Sequence, residues 1–157
     1  RPGRRAGRRP GRFRGGDPRR ASRPQRSVIV VDASVVVSAL ADDGADGDLA
    51  RARLRGERLA APGLIDLEVV SAWRRMVAAG DLDTRRAAFA IGDLRAMRIE
   101  RVAHGALLER CWELRGNLTV YDAAYVALAE MLEAVLLTAD GRLARAAASR
   151  CTIEHLE

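Results

Sequence analysis

The sequence has no lysine, two cysteines, two histidines and six aromatic residues in 157. Each scarcity excludes something. Cys111 and Cys151 lie far apart and form no CxxC pair, which excludes a disulfide framework and a zinc site built on paired cysteines. His104 and His155 are too few to complete a metal cage with them. With aromatics at 4%, the core must be aliphatic and filled with alanine. No run approaches the ~18 apolar residues that a membrane-spanning helix needs. The whole basic complement of 27 residues is arginine, a composition typical of GC-rich coding.

The formal charge of +6 is unevenly placed. Residues 1–27 carry 11 Arg against one Asp, whereas residues 28–157 carry 16 Arg against 20 acids. The body is therefore mildly acidic, and the basic balance belongs to the first segment. That segment is rich in Gly, Pro, Arg and Ser, and Phe13 is its only large apolar side chain. It cannot bury enough surface to offset its ordering entropy, so disorder is expected. It lacks the apolar stretch of a signal peptide. Two readings are open: an arm held by nucleic-acid phosphates, or an upstream extension from a misassigned start. The second is favoured, because a complete domain pattern begins at Val28. The expected division is a disordered extension over 1–27 and one domain over 28–157.

The body alternates short β-rich runs with helical patterns. Val28–Val31 is an unbroken apolar run ending at Asp32, as expected of a strand buried on both faces. Helices are expected over 34–41, 46–55, 62–79 (opened by Pro62 and closed by Gly80), 84–97, 103–115, 119–133 and 141–148. Strands are expected over 59–61, 99–102, 135–138 and 152–155. In the 119–133 helix, Val120, Ala124, Ala127, Leu128 and Met131 form one stripe. Trp73 and Trp112 read as packing anchors. The alternation calls for an α/β fold with a mostly parallel central sheet and helices on both faces.

Ligands of such sheets collect beyond the carboxyl ends of the strands. Asp32 and Asp140 directly follow two of the strands. Glu68 lies one turn into the helix opened by Pro62, and Asp122 lies in the first turn of the 119–133 helix. If those turns face the same rim, four carboxylates converge. Mutual repulsion would then be relieved by a hard divalent cation such as Mg²⁺ or Mn²⁺. Each acid also admits a local structural role. Thr119-x-x-Asp122 matches a capping box, Asp140 could cap the helix from Gly141, Asp32 could sit in a turn, and Glu68 could be solvated. Asp42, Asp43, Asp46 and Asp48 read as a solvated turn and helix start; Arg74-Arg75 and Arg85-Arg86 could meet phosphates, but the favoured reading is a solvated helix face.

Four segments carry a resemblance: Val30-Val31-Asp32-Ala33-Ser34, Leu67-Glu68-Val69-Val70-Ser71-Ala72, Tyr121-Asp122-Ala123-Ala124-Tyr125-Val126-Ala127-Leu128-Ala129, and Leu137-Thr138-Ala139-Asp140-Gly141-Arg142-Leu143. In order and spacing they resemble the four acidic blocks of the PIN-domain nucleases, and more narrowly those of the VapC toxins of toxin–antitoxin pairs. The resemblance covers about residues 28–157 and implies a three-layer α/β/α sandwich. It implies that Asp32, Glu68, Asp122 and Asp140 form the catalytic site, with Asp32 and Asp122 holding Mg²⁺ or Mn²⁺. Ser34, Thr138 and Asn117 take supporting places, and Arg115 falls in the polar stretch before the third block. The implied activity is Mg²⁺-dependent RNA cleavage by a cytoplasmic, homodimeric toxin with a cognate VapB-like antitoxin and no membrane association. Two alternatives are a housekeeping RNA-processing nuclease and a non-catalytic module whose acids receive a partner's arginine. The absence of lysine counts against phosphoacceptor receiver domains and aspartyl-phosphate hydrolases, which rely on one.

Overall fold

A computed structural model describes residues 28–157. The expectation for residues 1–27 lies outside the described residues. Five strands form one sheet in the order β3-β2-β1-β4-β5, with every neighbouring pair parallel. They are β1 (Val28–Val31), β2 (Arg58–Pro62), β3 (Ile99–Val102), β4 (Val135–Thr138) and β5 (Ile153–His155). Seven helices connect them: α1 (Ala33–Ala41), α2 (Ala45–Leu54), α3 (Ile65–Ala79), α4 (Thr84–Ala96), α5 (Leu108–Leu114), α6 (Val120–Leu132) and α7 (Gly141–Ala147).

The strand order decides where a ligand can bind. From β1 the chain moves outward through β2 to β3, then jumps back to β4 on the other side of β1 and moves outward to β5. Right-handed crossovers running in opposite directions place their helices on opposite faces. The α1–α4 group therefore covers one face and α5–α7 the other, giving the three layers. Between β1 and β4 the loops leave in opposite directions, which opens a crevice at the carboxyl ends of those strands. Asp32 follows β1 and Asp140 follows β4 by two residues, so the crevice opens between them.

β1 is buried because both faces are covered: Val30 and Val31 are fully inaccessible. Gly80 closes α3 as expected, at φ 86°, with its N–H on the carbonyls of Met76 and Val77. That left-handed turn favours a residue without Cβ. Trp73 packs in the core at 1% exposure.

Four expectations need correction. Pro62 does not open a helix; it ends β2 opposite Val102, and α3 begins at Ile65. The following residue takes the hydrogen bond that proline cannot donate, as Gly63 N–H reaches the Val102 carbonyl at 2.8 Å. The α6 stripe is also wrong. Residues 123–129 are buried all round because α6 lies between the sheet and α5, while Val120 and Met131 are about half exposed at its ends. Trp112 is no core anchor: it is 66% exposed and lies under the Arg115 guanidinium, 4.4 Å from the ring centre. The 103–115 helix is a 3₁₀ turn over His104–Leu107 followed by α5.

Candidate active site

A cleft of ≈ 640 Å³ opens at the crevice between β1 and β4, and Asp32, Glu68, Asp122, Asp140 and Ser34 all line it. Asp32 is only 7% exposed. Its backbone N–H is tied to the Leu137 carbonyl of β4 at 2.9 Å. Its Oδ2 accepts from the Ser34 backbone N–H at 3.2 Å, from the Thr138 hydroxyl at 2.9 Å, and from the Ser34 hydroxyl. Those bonds all fall on Oδ2; among the described residues none reaches Oδ1. Burial pushes the Asp32 carboxyl above the usual range, and the Ser34 and Thr138 donors only partly offset it.

Ser34 and Thr138 also join Asp32 to Asp140. The Ser34 hydroxyl accepts from Ala139 N–H at 2.9 Å, and the Thr138 hydroxyl accepts from Asp140 N–H at 3.0 Å. Thr138 is itself wholly buried below the cleft floor. Asp140 caps α7 through Oδ1, which accepts from Arg142 N–H at 2.7 Å and Leu143 N–H at 3.2 Å. Asp122 sits in the first turn of α6, and its N–H donates to the Thr119 hydroxyl at 3.1 Å. The capping box is half made, for the Asp122 carboxylate turns to Arg142 instead. Arg142 Nη2 lies 3.7 Å from both Asp122 Oδ2 and Asp140 Oδ2.

Glu68, one turn into α3, is gripped by the Tyr125 phenol, which donates to Oε2 at 2.6 Å. Burial pushes the Glu68 carboxyl up, the phenol pulls it back, and the Asp32 and Asp122 charges push it up again. Tyr125 is 1% exposed, and burial beside this carboxylate drives its own ionisation far above the ordinary value.

Not every expected residue reaches the cleft. Asn117 lines an adjoining hollow of ≈ 70 Å³ that it shares with Asp122 and Arg142. Arg115 is engaged with Trp112. Conversely, sequence reasoning singled out neither Tyr125 nor Arg142, and it set Asp46 and Arg75 aside as solvated. Asp46 and Arg75 line the cleft although their neighbourhoods read as solvated. A signal existed for Arg75, which lies seven residues beyond Glu68 and so falls on the same helix face.

Among the described residues, no three His, Cys, Asp or Glu side chains stand close enough to form a ready-made cage. The donor set nonetheless suits a hard divalent cation. It consists of carboxylate oxygens, its deepest member has an oxygen free of hydrogen bonds, and two others share one loosely held guanidinium.

A parallel sheet with acids gathered at its switch point defines a class, and the comparisons specify it. The PIN-domain profile matches residues 29–149. The chain belongs to the PIN-domain family. Within that family its relatives are VapC ribonucleases: VapC ribonuclease Mb0985 of Mycobacterium bovis is 41% identical over 126 residues, covering 80% of this chain and 96% of that relative. Two solved structures share the fold. PAE2754 from Pyrobaculum aerophilum matches at a TM-score of 0.60 and 22% identity, over 81% of this chain and 83% of its own. VapBC2 from Rickettsia felis, bound to a DNA fragment from its promoter, matches at 0.57 and 13% identity, over 83% and 99%. No helix among the described residues is long and apolar enough to cross a membrane.

Proposed function

We propose that this chain is an endoribonuclease toxin that cleaves RNA with the help of Mg²⁺ or Mn²⁺, and that a VapB-like antitoxin restrains it. The observation that carries the reading is the convergence of four carboxylates from β1, α3, α6 and the β4–α7 turn on one cleft. The ribonuclease names of its relatives and the VapBC pairing of a fold neighbour support it.

Asp32 and Asp122 would hold the cation, Asp32 through its free oxygen. A divalent ion bound there would neutralise the acids and act as a Lewis acid toward a phosphodiester. Glu68, fixed by Tyr125 and raised toward protonation, is placed to accept or hold a proton at the reacting centre. Asp140 keeps Oδ2 toward the cleft, while Ser34 and Thr138 hold Asp32 in place. Asn117 takes a supporting place at the cleft's edge. Homodimerisation belongs to the same reading, with the exposed Leu67, Trp112 and Tyr121 supplying apolar surface. So does a cytoplasmic site of action, and so does the division into an Arg-rich extension over 1–27 and a PIN domain over 28–157.

The test is cleavage of a pool of cellular RNAs with Mg²⁺ or Mn²⁺, with EDTA, and with Asp122→Asn. Cleavage should need the ion and fall by ~10³-fold or more in the variant, as for loss of a principal charge-stabilising group. Undiminished cleavage by Asp122→Asn would overturn the assignment.

A further inference from the structure

Arg142 holds an unusual place. One nitrogen, Nη2, lies 3.7 Å from a carboxylate oxygen of Asp122 and 3.7 Å from one of Asp140. Both contacts are long for an ion pair, and the side chain is 70% exposed. Its root, by contrast, is fixed: the backbone N–H is capped by Asp140 Oδ1 at 2.7 Å in the first turn of α7. A guanidinium on a fixed root, held weakly between two acids, stands where a cation is wanted and is easily displaced.

Across the cleft, Arg75 extends from α3, with Nη1 on the Ser71 hydroxyl at 3.0 Å and the rest of its fork unpaired among the described residues. Arg75 and Arg142 are the only cationic residues among those lining a cleft dominated by acids. A polyanion entering such a cleft meets repulsion everywhere except at these two forks, whose planar donors match phosphate oxygens.

We propose that Arg142 is a displaceable counter-ion. It neutralises Asp122 and Asp140 until a divalent cation enters, and once released it turns to a backbone phosphate of the RNA, opposite a second phosphate held by Arg75. The counter-ion step stands on the geometry alone; the phosphate step rests on the RNA-cleavage reading. No bond is made or broken in either step.

The experiment uses the full chain and the variants Arg142→Gln and Arg75→Gln, with Arg85→Gln on the exposed face of α4 as a control outside the cleft. The first readout is the Mn²⁺ concentration at half-maximal thermal stabilisation, without RNA. Arg142→Gln should lower that midpoint by ~3–5-fold, the size of effect exposed ion pairs exert. Arg75→Gln and Arg85→Gln should leave it in place. The second readout is KM for an RNA substrate against salt. Both cleft variants should raise KM by ~3–10-fold at low salt, with kcat changing less. Each should flatten the log–log salt dependence by roughly 0.7, one single-strand phosphate contact. An Arg142→Gln midpoint that is unchanged or higher overturns the counter-ion. An unmoved KM in variants of an active wild type overturns the phosphate contacts. A wild type that cleaves no RNA with Mn²⁺ overturns the nuclease reading itself, and the midpoint still decides the counter-ion.

Discussion

Replacing Tyr125 with Phe removes one atom, the hydroxyl that donates to Glu68 Oε2 at 2.6 Å. The ring stays in the core, so no cavity forms. The hydroxyl leaves, and its acceptor, Glu68, borders the cleft. Hydrogen bonds to charged groups contribute ~1.5–3 kcal/mol. The half-buried Glu68 can regain water, which places the cost near ~1.5 kcal/mol, or roughly 4–6 °C in melting temperature for a domain of this size. The pH dependence follows from the sign of the Glu68 shift. Its carboxyl is raised in the fold, so protonated Glu68 contributes stability that is full below its unfolded value and is lost as pH rises through the folded value. The phenol limits that loss by favouring the anion. Without it the carboxyl rises further, and the variant falls behind the wild type as pH increases. Metal-free thermal melts at about pH 4.5 and pH 8 measure the difference, which should be small at the lower pH and reach its full ~1.5 kcal/mol at the higher. Equal differences at both pH values, or a variant as stable as wild type at pH 8, would refute the role of the phenol.

Asp32→Asn should melt higher than wild type at neutral pH without metal, by about 1 kcal/mol or ~2–4 °C, and respond little to Mn²⁺. Burial raises its carboxyl, so ionisation there costs stability, and an amide oxygen can still accept from Ser34 and Thr138. A lower melting temperature with an intact Mn²⁺ response would make Asp32 a purely structural cap. Gly47→Ala should lose ~2 kcal/mol or more in a denaturant titration, because a Cβ there would lie 1.9 Å from the Asp42 carbonyl oxygen. Removing residues 1–27 should leave the melting temperature and cleavage pattern unchanged while weakening non-specific RNA affinity and its salt dependence in filter binding.

The fold was legible where one local pattern sufficed. The apolar run of β1, the Gly80 stop of α3 and the βα alternation each need only neighbouring residues, and each stands in the structure. What local pattern cannot carry is strand order. The switch point between β1 and β4 depends on the long return from β3, and no window of sequence contains it. Side chains joined across the chain were hidden for the same reason. Tyr125 reads as one more apolar position of α6 until Glu68, 57 residues earlier, is brought against its hydroxyl. Arg75 reads as a solvated residue until α3 is laid along the cleft. Pro62 misled because proline favours the first turn of a helix and is rare in a central strand; the pairing with Val102 shows that it ends one.

The acids pose a different problem, since for each of them a local structural role and a role in the cleft stood as rivals. A carboxylate has two oxygens, and at Asp32 and Asp140 the structure divides them. Asp32 takes every bond from α1 and β4 on Oδ2 and leaves Oδ1 without one. Asp140 caps α7 on Oδ1 and presents Oδ2 toward Arg142. The caps aim these side chains at helix N-termini, where the positive end of the backbone dipole favours an anion. That support helps offset the mutual repulsion of acids brought to one rim. Asp122 reaches the same end by leaving its box half closed, its N–H on Thr119 and its carboxylate toward Arg142. Glu68 has no cap to make and is aimed by Tyr125 instead. Local structure and site are thus the same hydrogen bonds counted from two ends, so a substitution that spares the cap while removing the charge, such as Asp→Asn, separates them.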